Sequence, residues 1–235
     1  MQGVVPAAGR GTRLRPATDD RPKALVEIAG RPLLSYVLDS LGPSVTEYVV
    51  VVGYLGDRIR ERFGDAYEGT PITYVEQSRR EGLADAVGRA ASVVTGDFVQ
   101  LNGDNVLCGN VREAIDTHRE RDADATLLIE RVSRKRARRG GVLSVEDGSP
   151  TGIVEKPEDP PSRLATTGCF AFSPRIFEAV EAIEPSDRGE YELPDAIDAL
   201  LEDGGRIETV RLDGWRVNVN TEADVTRAER RLSGK

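Results

Sequence analysis

The stretch that decides the fold is Ala7–Lys23, with the sequence AAGRGTRLRPATDDRPK, which directly follows the short apolar segment Gly3–Pro6. The apolar segment is predicted to be a buried strand, and the glycines after it predict a tight turn at its carboxyl end. Gly9 and Gly11 can adopt positive φ angles and let the backbone approach a ligand without an intervening Cβ atom. Such a turn presents several backbone N–H groups at one point, which is an arrangement suited to binding a polyphosphate.

Positively charged side chains in the same stretch support this interpretation. Arg13 can hold phosphate oxygens through two parallel hydrogen bonds, and Lys23 brings a compact point charge. The stretch is not a Walker A loop, because no Gly-Lys-Ser/Thr follows, and it lacks the third glycine of the dinucleotide fingerprint. The glycines alone would also fit an ordinary turn between a strand and a helix. The arginine and the lysine at fixed offsets favour a phosphate site.

Beyond this stretch, strand-like and helix-like apolar periods alternate along the chain. Leucines and a valine at helical spacing over 33–41 predict the first helix. The β-branched run Glu47–Val52 predicts a strand buried on both faces, and Phe98–Leu101 predicts another that ends at Asn102–Asn105. Together these elements predict an α/β fold with a mainly parallel central sheet and helices on both faces.

The second half continues the alternation with shorter strands. Helices are predicted over 111–121, 174–183, 193–201 and 221–232, and strands over 125–130, 141–145, 152–155 and 168–172. We expect His118 to be a solvated residue on its helix and Arg134–Arg139 to be a solvated loop. Cys108 and Cys169 are interpreted as small buried apolar residues. No repeat or low-complexity linker divides the chain, which predicts one domain over 1–235.

Composition limits the classes of function. The chain has 235 residues and a formal net charge of −8, which is the wrong sign for a general nucleic-acid binder. One histidine and two well-separated cysteines argue against a zinc site, a disulfide framework and a Ser-His-Asp triad. We see no signal peptide and no apolar stretch long enough to span a bilayer, and so we expect a cytoplasmic protein with no membrane partner. Lysine occurs only at positions 23, 135, 156 and 235, which makes Lys23 and Lys156 notable.

The motifs of this chain resemble those of the sugar-1-phosphate nucleotidyltransferases, especially the glucose-1-phosphate thymidylyl- and uridylyltransferases. Gly9–Lys23 matches that family's signature G-x-G-T-R-L-x-P-x-T-x-x-x-P-K at every specified position. Gly30–Leu34 is also similar to its G-x-P-L/M-L/I segment. The resemblance implies a Rossmann-like nucleotidyltransferase fold, an NTP substrate and Mg²⁺. It also implies that Arg13 and the glycine loop hold the NTP phosphates while Lys23 lies near the α-phosphate.

Two further segments carry the resemblance into the middle of the chain. Gln77 with Glu81–Ala86 is similar to the element with which the family reads the nucleobase. A glutamine amide can donate and accept together, matching O4 and N3–H of thymine or uracil, although a solvent-facing glutamine is the plain alternative. Gly103–Asn105 resembles the family's G-D-N, which implies that Asp104 holds Mg²⁺ at the end of a parallel strand. The alternative there is a turn that caps the next helix.

The sugar-phosphate side of the resemblance is carried by Glu155-Lys156-Pro157, similar to the family's E-K-P. It implies that Lys156 holds the sugar phosphate and that Glu155 binds sugar hydroxyls. Neighbouring side chains on an extended strand point to opposite faces, so we expect a bend near Pro157 if both serve one pocket. Exposed ion pairing is the alternative. Gly141 and Gly168 stand in short stretches that resemble those around the family's sugar.

The chain departs from the family pattern near its C-terminus. Where the family reads W-x-D-x-G-T, this chain has Trp215–Thr221, with Asn218 at the position of the aspartate and Asn220 at that of the glycine. The resemblance would make Asn218 a second metal ligand through its carbonyl oxygen. Because the side chain is neutral, we expect weaker attraction for the metal.

We interpret the chain as an enzyme that joins an NTP to a sugar 1-phosphate, giving an NDP-sugar and pyrophosphate. UTP and dTTP are the favoured nucleotides. The NTP half would be about 1–110 and the sugar-phosphate half about 111–235. Two alternatives stay open: a cytidylyl- or guanylyltransferase with another phosphorylated acceptor, and a catalytically silent subunit that binds nucleotide sugars. Homo-oligomer formation is also left open.

The residues that we expect to act fall into overlapping groups. The catalytic set is Arg13, Lys23, Asp104 and Lys156, and the metal set is Asp104 and Asn218. The nucleotide-binding set is Ala7, Ala8, Gly9, Gly11, Thr12, Arg13, Lys23, Gln77, Gly82 and Asp104. The sugar-phosphate set is Gly141, Glu155, Lys156 and Gly168.

Overall fold

Strands and helices alternate along most of the chain in the computed structural model, which describes residues 1–234. The strands are β1 (Gln2–Pro6), β2 (Glu27–Ile28), β3 (Arg31–Pro32), β4 (Glu47–Val52), β5 (Ala66–Tyr67), β6 (Thr70–Glu76), β7 (Phe98–Leu101), β8 (Asn105–Gly109), β9 (Ala125–Arg131), β10 (Gly141–Glu146), β11 (Ser149–Glu155), β12 (Leu164–Phe172), β13 (Ile207–Arg211) and β14 (Gly214–Asn218). The α-helices are α1 (Leu33–Leu41), α2 (Gly56–Phe63), α3 (Leu83–Arg89), α4 (Val111–Glu120), α5 (Arg134–Ala137), α6 (Arg175–Ala182), α7 (Leu193–Glu202) and α8 (Glu222–Leu232).

The first half of the chain forms the parallel part of the main sheet. Strand β1 pairs in parallel with β4 on one side and with β7 on the other, and β4 pairs in parallel with β6. The chain therefore moves outward from β1 through β4 to β6 and then returns to the opposite side of β1 with β7. Strand order reverses between β1 and β7, and the carboxyl ends at such a switch point are where open α/β sheets bind ligands.

Strand β4 explains why this part of the sheet needs helices on both faces. Val50 and Val52 belong to one apolar cluster, together with Leu38 of α1. Val49 and Val51, which alternate with them along the strand, belong to a second cluster on the other face. All four valines are fully buried, as the β-branched run predicts, and each contributes about 1.5–3 kcal/mol by leaving water.

The second half extends the sheet with antiparallel ladders. Strand β12 pairs antiparallel with β7, β9 and β10, and β10 pairs antiparallel with β11. Strand β9 also pairs with β13, in parallel. Among residues 1–234 this gives one sheet of ten strands, parallel around β1 and mixed beyond β7. The predicted α/β class and the largely parallel centre are confirmed.

A separate two-stranded ribbon brings the C-terminal part of the chain to the switch point. Strand β14 pairs antiparallel with β8, and Asn218 lies opposite Asn105 in this ladder. The backbone N–H of Val219 then donates to the carbonyl oxygen of Asp104 at 2.8 Å. Residues that follow β14 are thereby held beside the turn that follows β7.

Two sequence-based expectations about single residues are wrong. His118 is only 1% exposed, because Val111, Ala114, Ile115 and His118 form one buried stripe of α4. Its Nδ1 lies 3.3 Å from the hydroxyl of Thr126, and burial lowers the pKa of the imidazole. Cys108 is exposed rather than buried, since the outer end of β8 faces solvent.

The expectation for Cys169 is confirmed, and the expectation for Arg134–Arg139 is confirmed in part. Cys169 is buried as expected, and burial raises the pKa of its thiol to about 12. The basic run Arg134–Arg139 begins with the short helix α5 rather than being a loop throughout, although most of its side chains are exposed. Within residues 1–234, every helix is too short or too polar to cross a bilayer.

Candidate active site

A pocket of about 630 Å³ opens at the carboxyl ends of β1 and β7, where the strand order reverses. All ten residues predicted to bind nucleotide line it: Ala7, Ala8, Gly9, Gly11, Thr12, Arg13, Lys23, Gln77, Gly82 and Asp104. Arg10, Arg80, Asn102, Glu190 and Asn220 also line the pocket and carry no assigned role in the sequence interpretation. The fold therefore brings segments that lie far apart in the chain to one cleft.

The glycine-rich loop after β1 is held by contacts to the residues just beyond it. Gly11 has φ 68°, in the left-handed region, and a Cβ atom there would lie 2.9 Å from Cβ of Lys23. The hydroxyl of Thr18 donates to the carbonyl oxygen of Gly11 at 2.8 Å. Glycine is thus required both by the backbone angle and by the close approach of Lys23.

The turn after β7 packs directly against the end of β1. The backbone N–H of Gly103 donates to the carbonyl oxygen of Pro6 at 3.1 Å, and a Cβ atom on Gly103 would lie only 2.4 Å from that oxygen. No larger residue fits there without moving one strand end. This contact places Asp104 next to the glycine-rich loop.

Asp104 and Lys23 form the charged centre of the pocket. Lys23 is 9% exposed, and its Nζ lies 2.8 Å from Oδ2 of Asp104. The other carboxylate oxygen, Oδ1 of Asp104, is buried and has no hydrogen-bond partner among residues 1–234. A buried anionic oxygen without a donor is costly unless a ligand completes it, and a hard cation has the matching chemistry.

Asn218 and Asn220 lie on the other side of this pair. Oδ1 of Asn220 accepts from Nη2 of Arg13 at 2.7 Å and from Nζ of Lys23 at 3.0 Å. Nδ2 of Asn220 donates to Oδ1 of Asn218. Asn218 is therefore linked to the charged centre through Asn220, and it is Asn220 that lines the pocket. In the sequence, Asn220 is notable only because it replaces the glycine of the family pattern.

A buried arginine, Arg216, interacts electrostatically with Asp104 and is itself paired with Glu130. Nε of Arg216 on β14 donates to Oε1 of Glu130 at 2.7 Å, and a second nitrogen of Arg216 donates to the carbonyl oxygen of Thr166 at 3.2 Å. Burial lowers the pKa of the Arg216 guanidinium, although the carboxylate of Glu130 opposes this effect. The group stays charged at neutral pH because arginine starts from so high a value.

Gln77 also lines the pocket and is only 4% exposed. Its Nε2 donates to the carbonyl oxygen of Gly82 at 3.0 Å and to Oδ2 of Asp85 at 2.6 Å. Both amide protons are thus used within the protein, so the expectation that this amide both donates to and accepts from a base is corrected. Only its carbonyl oxygen remains for a ligand.

The residues predicted for the sugar phosphate lie outside the lining of this pocket. Lys156 has φ 46°, and its Nζ lies 2.8 Å from Oε1 of Glu155. The expected bend is therefore at Lys156 itself, one residue before Pro157, and it brings both side chains to one side. Gly141 pairs with Glu155 across β10 and β11.

Gly168 connects this region to the pocket. It has φ 81°, and a Cβ atom there would lie 2.6 Å from Nδ2 of Asn102 and 2.7 Å from Nδ2 of Asn105. Its carbonyl oxygen accepts from the backbone N–H of Asn102 at 2.9 Å. Asn102 in turn lines the pocket, so Gly168 borders the pocket through one residue.

Comparison with known proteins identifies the family. The family model described as nucleotidyl transferase matches residues 2–217. The chain belongs to the nucleotidyl transferase family. The resemblance inferred from the motifs is thereby confirmed.

Relatives with assigned activities match along nearly the whole chain. UTP–glucose-1-phosphate uridylyltransferase AglF of Haloferax volcanii is 44% identical over 234 residues, which cover 99% of this chain and 96% of AglF. Glucose-1-phosphate thymidylyltransferase of Streptomyces antibioticus is 38% identical over 235 residues, covering 98% of this chain but 65% of that enzyme. A crystal structure of UDP-glucose pyrophosphorylase complexed with UDP-glucose superposes with a TM-score of 0.88 at 23% identity, covering 99% of this chain and 98% of that one. At that identity the superposition supports the fold alone.

Proposed function

We propose that this chain transfers a nucleotidyl group from UTP or dTTP to a sugar 1-phosphate, yielding an NDP-sugar and pyrophosphate. The observation that carries the proposal is the pocket at the switch point, where Arg13, Lys23 and the buried, unpartnered Oδ1 of Asp104 meet the glycine-rich loop. Cations and backbone N–H groups there suit a triphosphate. The activity named for AglF supports the same reaction and a glucose-like acceptor.

The residues would act by positioning and by charge. A phosphate monoester is already nucleophilic, so an oxygen of the sugar phosphate attacks the α-phosphorus in line, the bond to the β-phosphate breaks, and pyrophosphate leaves. Arg13 would stabilise the charge on the leaving pyrophosphate, and Lys23 the charge on the α-phosphate. Lys156 would hold the attacking phosphate, with Glu155 accepting from sugar hydroxyls. No histidine base is required.

We propose Mg²⁺ as the divalent metal of the reaction. Asp104 would hold it through the buried Oδ1, which fits a hard cation, and Asn218 would lie close by. When bound, the ion supplies charge neutralisation on the phosphates. Because residues 1–234 contain no cluster of three or more His, Cys, Asp or Glu side chains suited to a metal, the nucleotide phosphates would provide most of the remaining ligands.

Gln77 would select the base through its remaining carbonyl oxygen. This oxygen can accept from N3–H of uracil or thymine, whereas N3 of cytosine is itself an acceptor. Because Asp85 and Gly82 fix the amide through Nε2, the oxygen cannot be exchanged for a donor without breaking two hydrogen bonds. A uracil or thymine nucleotide is therefore favoured over CTP.

Replacement of Gln77 by methionine tests base selection. We expect kcat/KM for UTP relative to CTP to fall roughly five- to tenfold, since one neutral hydrogen bond contributes about 1 kcal/mol. The measurement is the ratio of the two kcat/KM values. Asp85→Asn is the matched control, because an acceptor for Nε2 remains and the ratio should change little. An unchanged ratio in Gln77→Met would show that Gln77 does not read the base.

The proposed function itself is tested by a panel of substrates. Pyrophosphate release is measured with UTP, dTTP, CTP, GTP and ATP, each with glucose 1-phosphate and with other sugar 1-phosphates. We expect release with UTP or dTTP only when a sugar 1-phosphate is present. Preference for CTP or GTP would favour the related transferases with another acceptor, and tight nucleotide binding without release would favour a silent binding subunit.

A further inference from the structure

Asn220 contacts two cations of the pocket, Arg13 and Lys23, and lies two residues after the end of β14 and directly before Thr221, the capping residue of α8. Its single carbonyl oxygen accepts from Arg13 at 2.7 Å and from Lys23 at 3.0 Å. Two positively charged side chains that approach one point repel each other, and this repulsion favours rotamers that move them apart. An acceptor shared by both offsets that repulsion.

Two further hydrogen bonds fix Asn220 in place. Its Nδ2 donates to Oδ1 of Asn218, so the carbonyl oxygen must face the cations. Its backbone N–H donates to Oδ2 of Asp224 at 3.0 Å, and Asp224 is itself part of the capping box of α8 with Thr221. Bonds to the carboxylate from the backbone of Asn220 and from Thr221 keep the pKa of Asp224 low despite the opposing effect of burial. The acceptor is thus held by hydrogen bonds to the end of β14 and to the first turn of α8.

A neutral acceptor is well suited to a polyphosphate site. An amide oxygen carries enough partial negative charge to orient Arg13 and Lys23, yet it adds no full charge that would repel phosphate oxygens. Lys23 is also paired with Asp104. The charges of Arg13, Lys23 and Asp104 sum to +1, and the neutral amide of Asn220 does not change that sum. Both cations are therefore oriented before any nucleotide or metal arrives.

We infer that Asn220 is a positioning residue that orients Arg13 and Lys23 for the NTP triphosphate and does so without the metal. The inference rests on the proposed function, in which these two cations bind the nucleotide phosphates. Asn220 acts through the two cations rather than as a ligand of Mg²⁺. Its effect must then appear on nucleotide affinity when no divalent ion is present.

The test compares wild type with Asn220→Ala by calorimetric titration with UTP in excess EDTA. We expect the metal-free affinity to fall roughly tenfold, since misplaced charged groups lose much of their contribution. With Mg²⁺ present, KM for UTP should rise by a similar factor, whereas KM for the sugar 1-phosphate should stay within about twofold. Asn220→Gly serves as the second variant if the alanine variant does not fold.

Asn110→Ala is the matched control. Asn110 also makes three hydrogen bonds through its amide, to Glu113, Arg211 and Asp213, but at the far end of β8. The variant Asn110→Ala should lower the melting temperature without changing UTP affinity. This result would distinguish the loss of an amide that only stabilises the fold from the loss of an amide that orients the two cations.

Three results would overturn the inference. One is an Asn220 variant whose UTP affinity in EDTA equals that of wild type, and the second is a loss seen only with Mg²⁺, which would place Asn220 at the metal. The third is the absence of measurable UTP binding by wild type in EDTA, because cations oriented in advance should hold a triphosphate alone. Failure of the proposed function is distinguishable: wild type would then release no pyrophosphate with any pair in the substrate panel.

Discussion

Asp104→Asn is expected to lower the rate of pyrophosphate release by about a hundred- to a thousandfold, which is the usual effect of removing one group that stabilises charge in a transition state. The substitution is almost isosteric, but it removes the negative charge at the buried Oδ1 and the ion pair with Lys23 at 2.8 Å. Both the hold on a divalent ion and the orientation of Lys23 should suffer. The measurement is kcat at saturating NTP, sugar 1-phosphate and Mg²⁺, with the melting temperature recorded in parallel.

Asp57→Asn is the control for Asp104→Asn, because the Asp57 side chain is 99% exposed and does not line the pocket, and its variant should keep the wild-type rate. Asn218→Asp is the informative partner variant. It adds a carboxylate on the strand end whose next residue, Val219, donates to the carbonyl oxygen of Asp104. We expect it to lower the Mg²⁺ concentration that gives half-maximal rate.

These variants can contradict the account in two ways. If Asp104→Asn keeps a rate near that of wild type, Asp104 has no part in the reaction. If Asn218→Asp leaves the Mg²⁺ dependence unchanged, Asn218 is not near the metal and its placement in the metal set is wrong. Activity only in Asn218→Asp would favour the silent subunit.

Lys156→Ala should raise KM for the sugar 1-phosphate by about ten- to a hundredfold, while KM for the NTP changes by less than about twofold. Loss of a charge-assisted bond to phosphate costs about 1.5–3 kcal/mol, which corresponds to that range. Lys156 is paired with Glu155 at 2.8 Å and lies outside the nucleotide pocket, which is why the two substrates should respond differently. Steady-state kinetics with each substrate varied in turn give both constants.

Arg13→Ala is the reciprocal variant and should impair use of the NTP with little change for the sugar phosphate. Lys135→Ala is the matched lysine control, since Lys135 is exposed on α5. Equal changes in both KM values for Lys156→Ala would mean that the assignment of Lys156 to the sugar phosphate is incorrect.

Much of the pocket lining could be predicted because its signals are local. The glycines, Arg13 and Lys23 lie within one short stretch, and the backbone angle and close packing of Gly11 depend on neighbours in that stretch. The burial of β4 could also be predicted, because its β-branched run is typical of a strand that is buried on both faces. His118 also had a usable signal, because its spacing from Val111, Ala114 and Ile115 marks one helix face.

The role of Asn220 could not be predicted, because its contacts depend on pairing between distant strands. It is 207 residues from Arg13 and 197 from Lys23, and it reaches them only because β14 pairs with β8. Neither strand has a clear apolar alternation, so the ribbon had no sequence signal. The amide of Gln77 shows the same limit: its donors are taken by Asp85 and Gly82, which lie beyond a turn whose shape the motif does not specify.

The central claim is that the sugar phosphate is the nucleophile and that pyrophosphate leaves from the NTP. Glucose 1-phosphate with its three non-bridging phosphate oxygens labelled with ¹⁸O, incubated with UTP or dTTP and Mg²⁺, tests this directly by mass spectrometry of both products. The account predicts that the NDP-sugar retains all three labelled oxygens, one of them in the bridge between the two phosphates, and that the pyrophosphate is unlabelled. Labelled pyrophosphate, or release of labelled orthophosphate without an NDP-sugar, would contradict it.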